Sequence, residues 1–190
     1  MKKLLLCAVC LAWLPLAAHL PVSVDTEEST GAISGFSFTP LQLGLGFIPY
    51  AQLFDGKTHF LAAVGILGLM QDSGAVSAAP VNMLNCNYLL QAGYLLNTCE
   101  RNFFLSLSLA NLGQKNFGLQ LGAVNFSSCE YGIQLGAVNQ GGMIQIGLCN
   151  SDSKFQLGLF NQEGDFQIGL LNYNPDAWIP WMPLFNFSAR

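Results

Sequence analysis

Charge is what this chain has least of. Only 9% of its 190 residues are Asp, Glu, Lys or Arg, where a soluble domain ordinarily carries about 25%. With 52% hydrophobic residues alongside, the deficit excludes intrinsic disorder, which needs low hydrophobicity and high charge. Seven scattered basic residues cannot build the phosphate-neutralising stripe of a nucleic-acid binder, so nucleic acid is not an expected partner. Histidine is scarcer still, with His19 and His59 alone. The six cysteines include no CxxC pair, and no metal or other cofactor is expected.

The groups that could do chemistry do not converge. His59 follows Lys57 and Thr58 and reads as a solvated loop residue, and Asp25, Glu27 and Glu28 read as a solvated leader. Glu163 and Asp165 share one connection without the spacing of a calcium loop. Gly44-Leu45-Gly46 lacks the strand–helix context of a dinucleotide loop. Asn125-Phe126-Ser127 matches a glycosylation acceptor. The expectation is a protein that is not an enzyme.

The first residues read as an export signal. Met1-Lys2-Lys3 is a basic start, Leu4 to Ala18 is an apolar run broken by Pro15, and Ala17-Ala18 offers small residues for cleavage. The run is shorter than the roughly 20 residues of a spanning helix. The expected organisation is a signal peptide over 1–18, a polar leader over 19–34 and one β-repeat domain over 35–190. Removal of Lys2 and Lys3 leaves five basic residues against eleven acidic, a net charge of 5 − 11 = −6. Cys86, Cys99, Cys129 and Cys149 remain, in a compartment that permits disulfides. Cys149 stands where other repeats carry Val, Phe or Leu and reads as an apolar filler.

What the chain does have is a repeat. Leu119-Gln120-Leu121-Gly122-Ala123-Val124-Asn125 recurs as Ile133-Gln134-Leu135-Gly136-Ala137-Val138-Asn139, then with Gln145, Gly147 and Asn150, with Gln156, Gly158 and Asn161, and with Gln167, Gly169 and Asn172. The closing Asn falls at 82, 97, 111, 125, 139, 150, 161, 172 and 186, in steps of 15, 14, 14, 14, 11, 11, 11 and 14. Earlier units are degenerate, and Leu41–Phe47 and Ala62–Gly68 lose the Asn. Apolar positions one, three and five alternate with Gln and Gly, the period of a strand. Recurrent Gly and Asn would break a helix. Each unit therefore reads as one strand, with a turn-rich connection after its Asn. The charges Asp55, Lys57, Asp72, Glu100, Arg101, Lys115, Glu130, Asp152, Lys154, Glu163 and Asp165 all fall between units.

Two all-β architectures fit. The favoured one is an antiparallel meander closing into a β-barrel of about 11–12 short strands, with positions one, three and five facing lipid and Gln and Gly facing a narrow interior. Phe126, Tyr131, Phe155, Phe166, Tyr173, Trp178 and Trp181 would form its aromatic girdle. Against it, an 11-residue period leaves about eight residues per strand, where a spanning strand needs about 9–11. The alternative is a parallel β-roll with two repeats per coil, in which Gln stacks on Gln and Asn on Asn. It accounts for the strict identity of Gln and Asn, but leaves the apolar sixth position unexplained.

The segment Gly118-Leu-Gln-Leu-Gly-Ala-Val-Asn125 resembles the Gly-Val-Gln-Ile-Gly-Leu-Phe-Asn units of a bacterial surface-repeat family of spirochaetes and Bacteroidetes-like bacteria, closely over residues 118–172 and loosely over 35–117. The tail, with Asn174-Pro175 and Pro180-Trp-Met-Pro183-Leu-Phe-Asn186-Phe187, is similar to that family's closing Pro-rich segment. The family's members are secreted or outer-membrane proteins without an assigned activity, so the resemblance implies a place more than a chemistry. Together these readings give an exported cell-envelope protein with membrane lipid as partner and a structural or adhesive role. The alternatives are a soluble periplasmic or secreted β-roll binding a partner through its loops, and a small, weakly selective pore.

Overall fold

The computed structural model describes residues 35, 37–45, 53–54, 57–129 and 131–188; the expected signal peptide and the whole of the leader lie outside them. Every helix or strand among the described residues is a strand. In chain order these are β1 (Phe38–Gly44), β2 (His59–Gly65), β3 (Gly68–Asn102), β4 (Leu105–Leu107), β5 (Ala110–Asn116), β6 (Leu119–Leu121), β7 (Val124–Ser127), β8 (Ile133–Gln140), β9 (Ile144–Tyr173) and β10 (Trp181–Phe187).

The chain winds into a parallel β-solenoid, and the barrel expectation is corrected. β1, β2 and β3 pair in parallel, as do β4, β6 and β8, and β5, β7 and β8. β8 then pairs in parallel with β9, and only β10 runs antiparallel, against the end of β9. Alternation of apolar and polar residues fixes which side chains face in; it carries no information on strand direction, which is why the two architectures share one sequence pattern.

The roll alternative is right in kind and wrong in count. Gln120 lies opposite Gln134, and Gln134 opposite Gln145, so successive units stack directly and one unit makes one coil. A unit is not one straight strand either. β6 ends at Leu121, the chain bends at Gly122-Ala123, and β7 carries Asn125 away along a second wall. Strand and wall continue past the Asn: Asn139 is inside β8 and pairs with Asn150. The bend explains the sixth position. On a straight strand the second and seventh residues would point to opposite sides. A corner at the fourth and fifth resets the alternation, so Gln and Asn both point inward and the sixth residue points out.

Glycine makes that corner possible by leaving room. A Cβ on Gly147 would lie 2.1 Å from the Gly136 carbonyl oxygen, and one on Gly169 would lie 2.2 Å from that of Gly158. The coils are in contact there, and only a residue without a side chain fits.

The interior changes character along the stack. Where the repeat is degenerate, Phe60, Ala63, Leu69, Ala79, Leu84 and Cys99 form a small apolar core. Where it is strict, the core is amide. At the far end β10 closes the stack, with a register shift between Met182 and Leu184 that takes in Pro183 and places Leu184 at φ 70°. Proline and a bulge are devices that stop a further strand from adding to an edge.

Candidate functional site: an amide interior and an apolar exterior

The residues singled out by the repeat come together in three columns. Gln120, Gln134, Gln145, Gln156 and Gln167 form one buried column, Asn125, Asn139, Asn150, Asn161 and Asn172 a second, and Gly122, Gly136, Gly147, Gly158 and Gly169 line the corner between them. The Asn column reaches further back than the strict repeat, through Asn82, Asn97 and Asn111, and a shorter column joins Asn87, Asn102 and Asn116. Asn125 is fully buried and bonded on both sides, so it is no glycosylation acceptor in the folded chain.

The two long columns are hydrogen-bonded ladders of opposite polarity. Each Asn donates through Nδ2 to the Asn one coil further on, from Asn82 to Asn172, at 2.7–3.2 Å. Each Gln donates through Nε2 to the Gln one coil back, from Gln167 to Gln120, at 3.0–3.4 Å. Backbone carbonyls set the directions. Asn139 Nδ2 also donates to the Ile146 carbonyl of the next coil, and Asn150 Nδ2 to that of Leu157. Gln145 Nε2 donates to the carbonyls of Gly141 and Ser151.

With amides inside, the apolar side chains are left outside. On the corner edge, Leu109, Leu148, Leu159 and Leu170 are exposed, Leu170 to 62%, and Tyr94 to 81%. Ile133, Ile146, Leu157 and Ile168 are exposed on the Gln wall, and Leu184 opposite the corner at Gly169. The expected outward direction of positions one, three and five is therefore observed, on a solenoid and not on a barrel. The aromatic residues form columns and not two girdles. Tyr88, Phe103, Phe117 and Tyr131 stack at 5.6–5.7 Å beside the Gln wall, as do Phe155 and Phe166.

Among the described residues, charge gathers on the opposite edge. Arg101 and Lys115 lie in register at the far ends of Asn-bearing strands. Asp152, Lys154, Glu163, Asp165 and Asp176 line a cleft of about 250 Å³, with Asp152 and Glu163 at φ 56° and 53°. Among the described residues, no group of three or more His, Cys, Asp or Glu side chains could hold a metal ion.

Sequence reading missed one constellation. The 14-residue step brings His59, Asp72 and Ser73 together: Ser73 Oγ shares a hydrogen bond with His59 Nδ1, and Asp72 lies 3.6 Å from the same nitrogen. The spacing of 14 between His59 and Ser73 was the available signal. A nucleophilic triad needs the hydroxyl and the carboxylate on different ring nitrogens, so that a proton can pass between them. Here both face Nδ1, and the three do not form that relay. Cys86, Cys99, Cys129 and Cys149 form no disulfide among the described residues. Cys99 is buried, donating to the Arg101 carbonyl at 2.9 Å, and desolvation pushes its pKa up to about 12. Burial also raises that of Cys86.

Comparison with protein-family models, with curated proteins and with solved structures finds no match. The functional reading therefore stands on the geometry of this chain.

Proposed function

We propose that this protein is a non-enzymatic component of the bacterial cell envelope, outer-membrane associated, with a structural or adhesive role. One observation carries the reading: the solenoid is inverted, with amides in its interior and aliphatic side chains on its exterior. Monomeric soluble proteins rarely expose contiguous apolar patches beyond a few hundred Å². A surface of this kind is suited to an apolar phase. The interior meets the matching requirement. In hydrocarbon each backbone N–H and C=O must find a partner within the protein, and here even the corners are bonded from coil to coil, as in Gly122 N–H to the Leu135 carbonyl at 3.1 Å and Val138 N–H to that of Ala123 at 2.9 Å.

Two further features support the reading. The basic and apolar start of the chain has the layout of an export signal, and the units resemble those of surface-repeat proteins. Among the described residues no helix is long and apolar enough to cross a membrane. A pore is the weaker alternative, because the interior is filled by the amide columns and leaves no channel among them.

The test is fractionation of cells expressing the full chain, followed by alkaline carbonate washing of the membranes. Retention in the washed membrane is expected. Release as a monodisperse soluble protein overturns the reading in favour of a periplasmic or secreted solenoid.

A further inference from the structure

We infer that the solenoid sits in a single lipid leaflet as a wedge, its long axis in the membrane plane, its glycine-corner edge among the acyl chains and its charged edge in water. The inference rests on the membrane reading above and specifies the bound surface, its depth and its orientation.

The segregation of charge decides the orientation. A coil has two connections. At the corner, the chain runs through Gly93-Tyr94, Ser108-Leu109, Gly122-Ala123, Gly136-Ala137, Gly147-Leu148, Gly158-Leu159 and Gly169-Leu170 without a charge. At the other, it runs through Arg101, Lys115, Asp152, Lys154, Glu163 and Asp165. The two edges lie on opposite sides of the amide columns for the length of the stack. The seven steps from Asn82 to Asn172, at about 4.8 Å each, make about 34 Å. That length would cross a hydrocarbon core of about 30 Å, but end-on insertion would draw the whole charged edge through it. Charged groups on a lipid-facing surface at that depth are strongly disfavoured. With the axis in the membrane plane, the charges all stay on the water side.

The depth follows from the aromatic column. Tyr88, Phe103, Phe117 and Tyr131 stand between the charged edge and the aliphatic Gln wall, the layering seen where aromatic rings occupy a membrane interface. From Phe117 to the corner at Gly122 is five residues, about 16 Å of strand, and from Phe155 to the corner at Gly158 is three, about 10 Å. Half of a 30 Å core is about 15 Å. With the aromatic rings at headgroup level, the corner lies about 10–16 Å deeper and stays within one leaflet.

Lipid fits this surface better than a second copy does. Exposed aliphatic side chains cover the corner edge and the Gln wall, as at Leu159 and Leu170 and at Leu157 and Ile168, while Val138 and Leu171 on the Asn wall are half-buried. A rigid partner of the same convex shape covers one side of a wedge. Fluid acyl chains cover the edge and the wall together.

The experiment uses the full chain reconstituted into phosphatidylcholine vesicles, with Trp13, Trp178 and Trp181 replaced by Phe. A single tryptophan is placed by Leu159→Trp or Leu148→Trp at the corner, or by Lys154→Trp at the charged edge. Corner tryptophans should be quenched severalfold more by lipid brominated deep in the acyl chain than by aqueous iodide, and Lys154→Trp the reverse. These are exposed positions, and circular dichroism of the vesicle-bound protein verifies that each variant keeps its β-structure. If the protein binds vesicles but both edges are quenched alike by deep bromine, the wedge is wrong and the membrane reading survives. If it floats free of vesicles as a dimer with its corner tryptophans shielded from iodide, a second copy covers the edge and both readings fall.

Discussion

Asn82 and Gln167 stand at opposite ends of the amide stack and share one defect: each has a buried side-chain oxygen with no donor among the described residues. The cause is the polarity of the ladders. Asn bonds run forward along the stack, so the first Asn receives none; Gln bonds run backward, so the last Gln receives none. At Asn82 the sequence shows why, since Gly68 stands 14 residues earlier where a donor Asn would be.

Polarity makes the cost of losing a rung depend on its place. Gln145→Ala removes the donor to Gln134 Oε1 and leaves that oxygen buried and unpaired. Gln167→Ala does the same to Gln156. Gln120→Ala orphans no oxygen of the ladder, because Gln134 Nε2 keeps the Gln140 carbonyl. An unpaired buried acceptor costs about 1–3 kcal/mol. In urea denaturation, Gln145→Ala and Gln167→Ala should each be less stable than Gln120→Ala by about that amount. Equal losses at all three would show that the ladder is not polarised as described.

The corner glycines should be less forgiving than the leucines beside them. Gly147→Ala puts a methyl 2.1 Å from the Gly136 carbonyl oxygen, a backbone atom that cannot move aside without opening the coils. Overpacking of this kind costs typically 1–3 kcal/mol, occasionally more. Leu148→Ala, at an exposed side chain one residue away, should change stability in water by less than about 0.5 kcal/mol. The pair inverts the usual ranking, in which a leucine matters more than a glycine, and thermal melting of the two variants checks it.

The sequence made the inward and outward side chains legible and left the winding hidden. Gln and Asn recur because each must bond to its own kind above and below, and that identity was readable without coordinates. The five-residue offset between Gln120 and Asn125 held the further clue that the unit bends, since two inward residues cannot be five apart on one straight strand. Reading Gly122 as an interior strand residue concealed it. Apolar residues facing out then suggested a barrel, because a closed barrel is the familiar way to present them to lipid. The His59, Asp72 and Ser73 contact needed the coil register, which fixes residues 14 apart as neighbours in this part of the chain.

Alkaline pH should weaken the fold through Cys99. Burial holds its thiol pKa at about 12, against about 8.5 for an exposed cysteine. The folded state therefore keeps a proton that the unfolded state releases. The stability this contributes is fully present below about pH 8.5 and is lost as pH rises toward 12. Cys99→Ala deletes the titrating group, so the variant should lose less stability than the parent between pH 9 and pH 11 in parallel urea titrations. Parallel curves over that range would mean that Cys99 titrates alike in both states.

Removal of β10 should turn the solenoid into a template for its own assembly. Its strand covers the last rungs, pairing Asn186 opposite Gln167 and accepting the Asn172 Nδ2 hydrogen bond at the Met182 carbonyl, 3.1 Å away. It runs antiparallel, and it carries Pro183 and a register break, so its outer edge is a poor acceptor of another strand. A chain ending at Tyr173 would present the open edge of β9 and an uncovered Asn ladder. The first coils of a second molecule could then dock in the parallel sense already used throughout the stack. Light scattering in detergent, which masks the apolar exterior, should show the truncated chain growing into larger species with time while the parent stays constant in size. Substituting Pro183→Val in the intact chain should produce a weaker version of the same growth. If the truncated chain holds the parent's hydrodynamic size and its β-sheet spectrum, β10 is not what limits the stack.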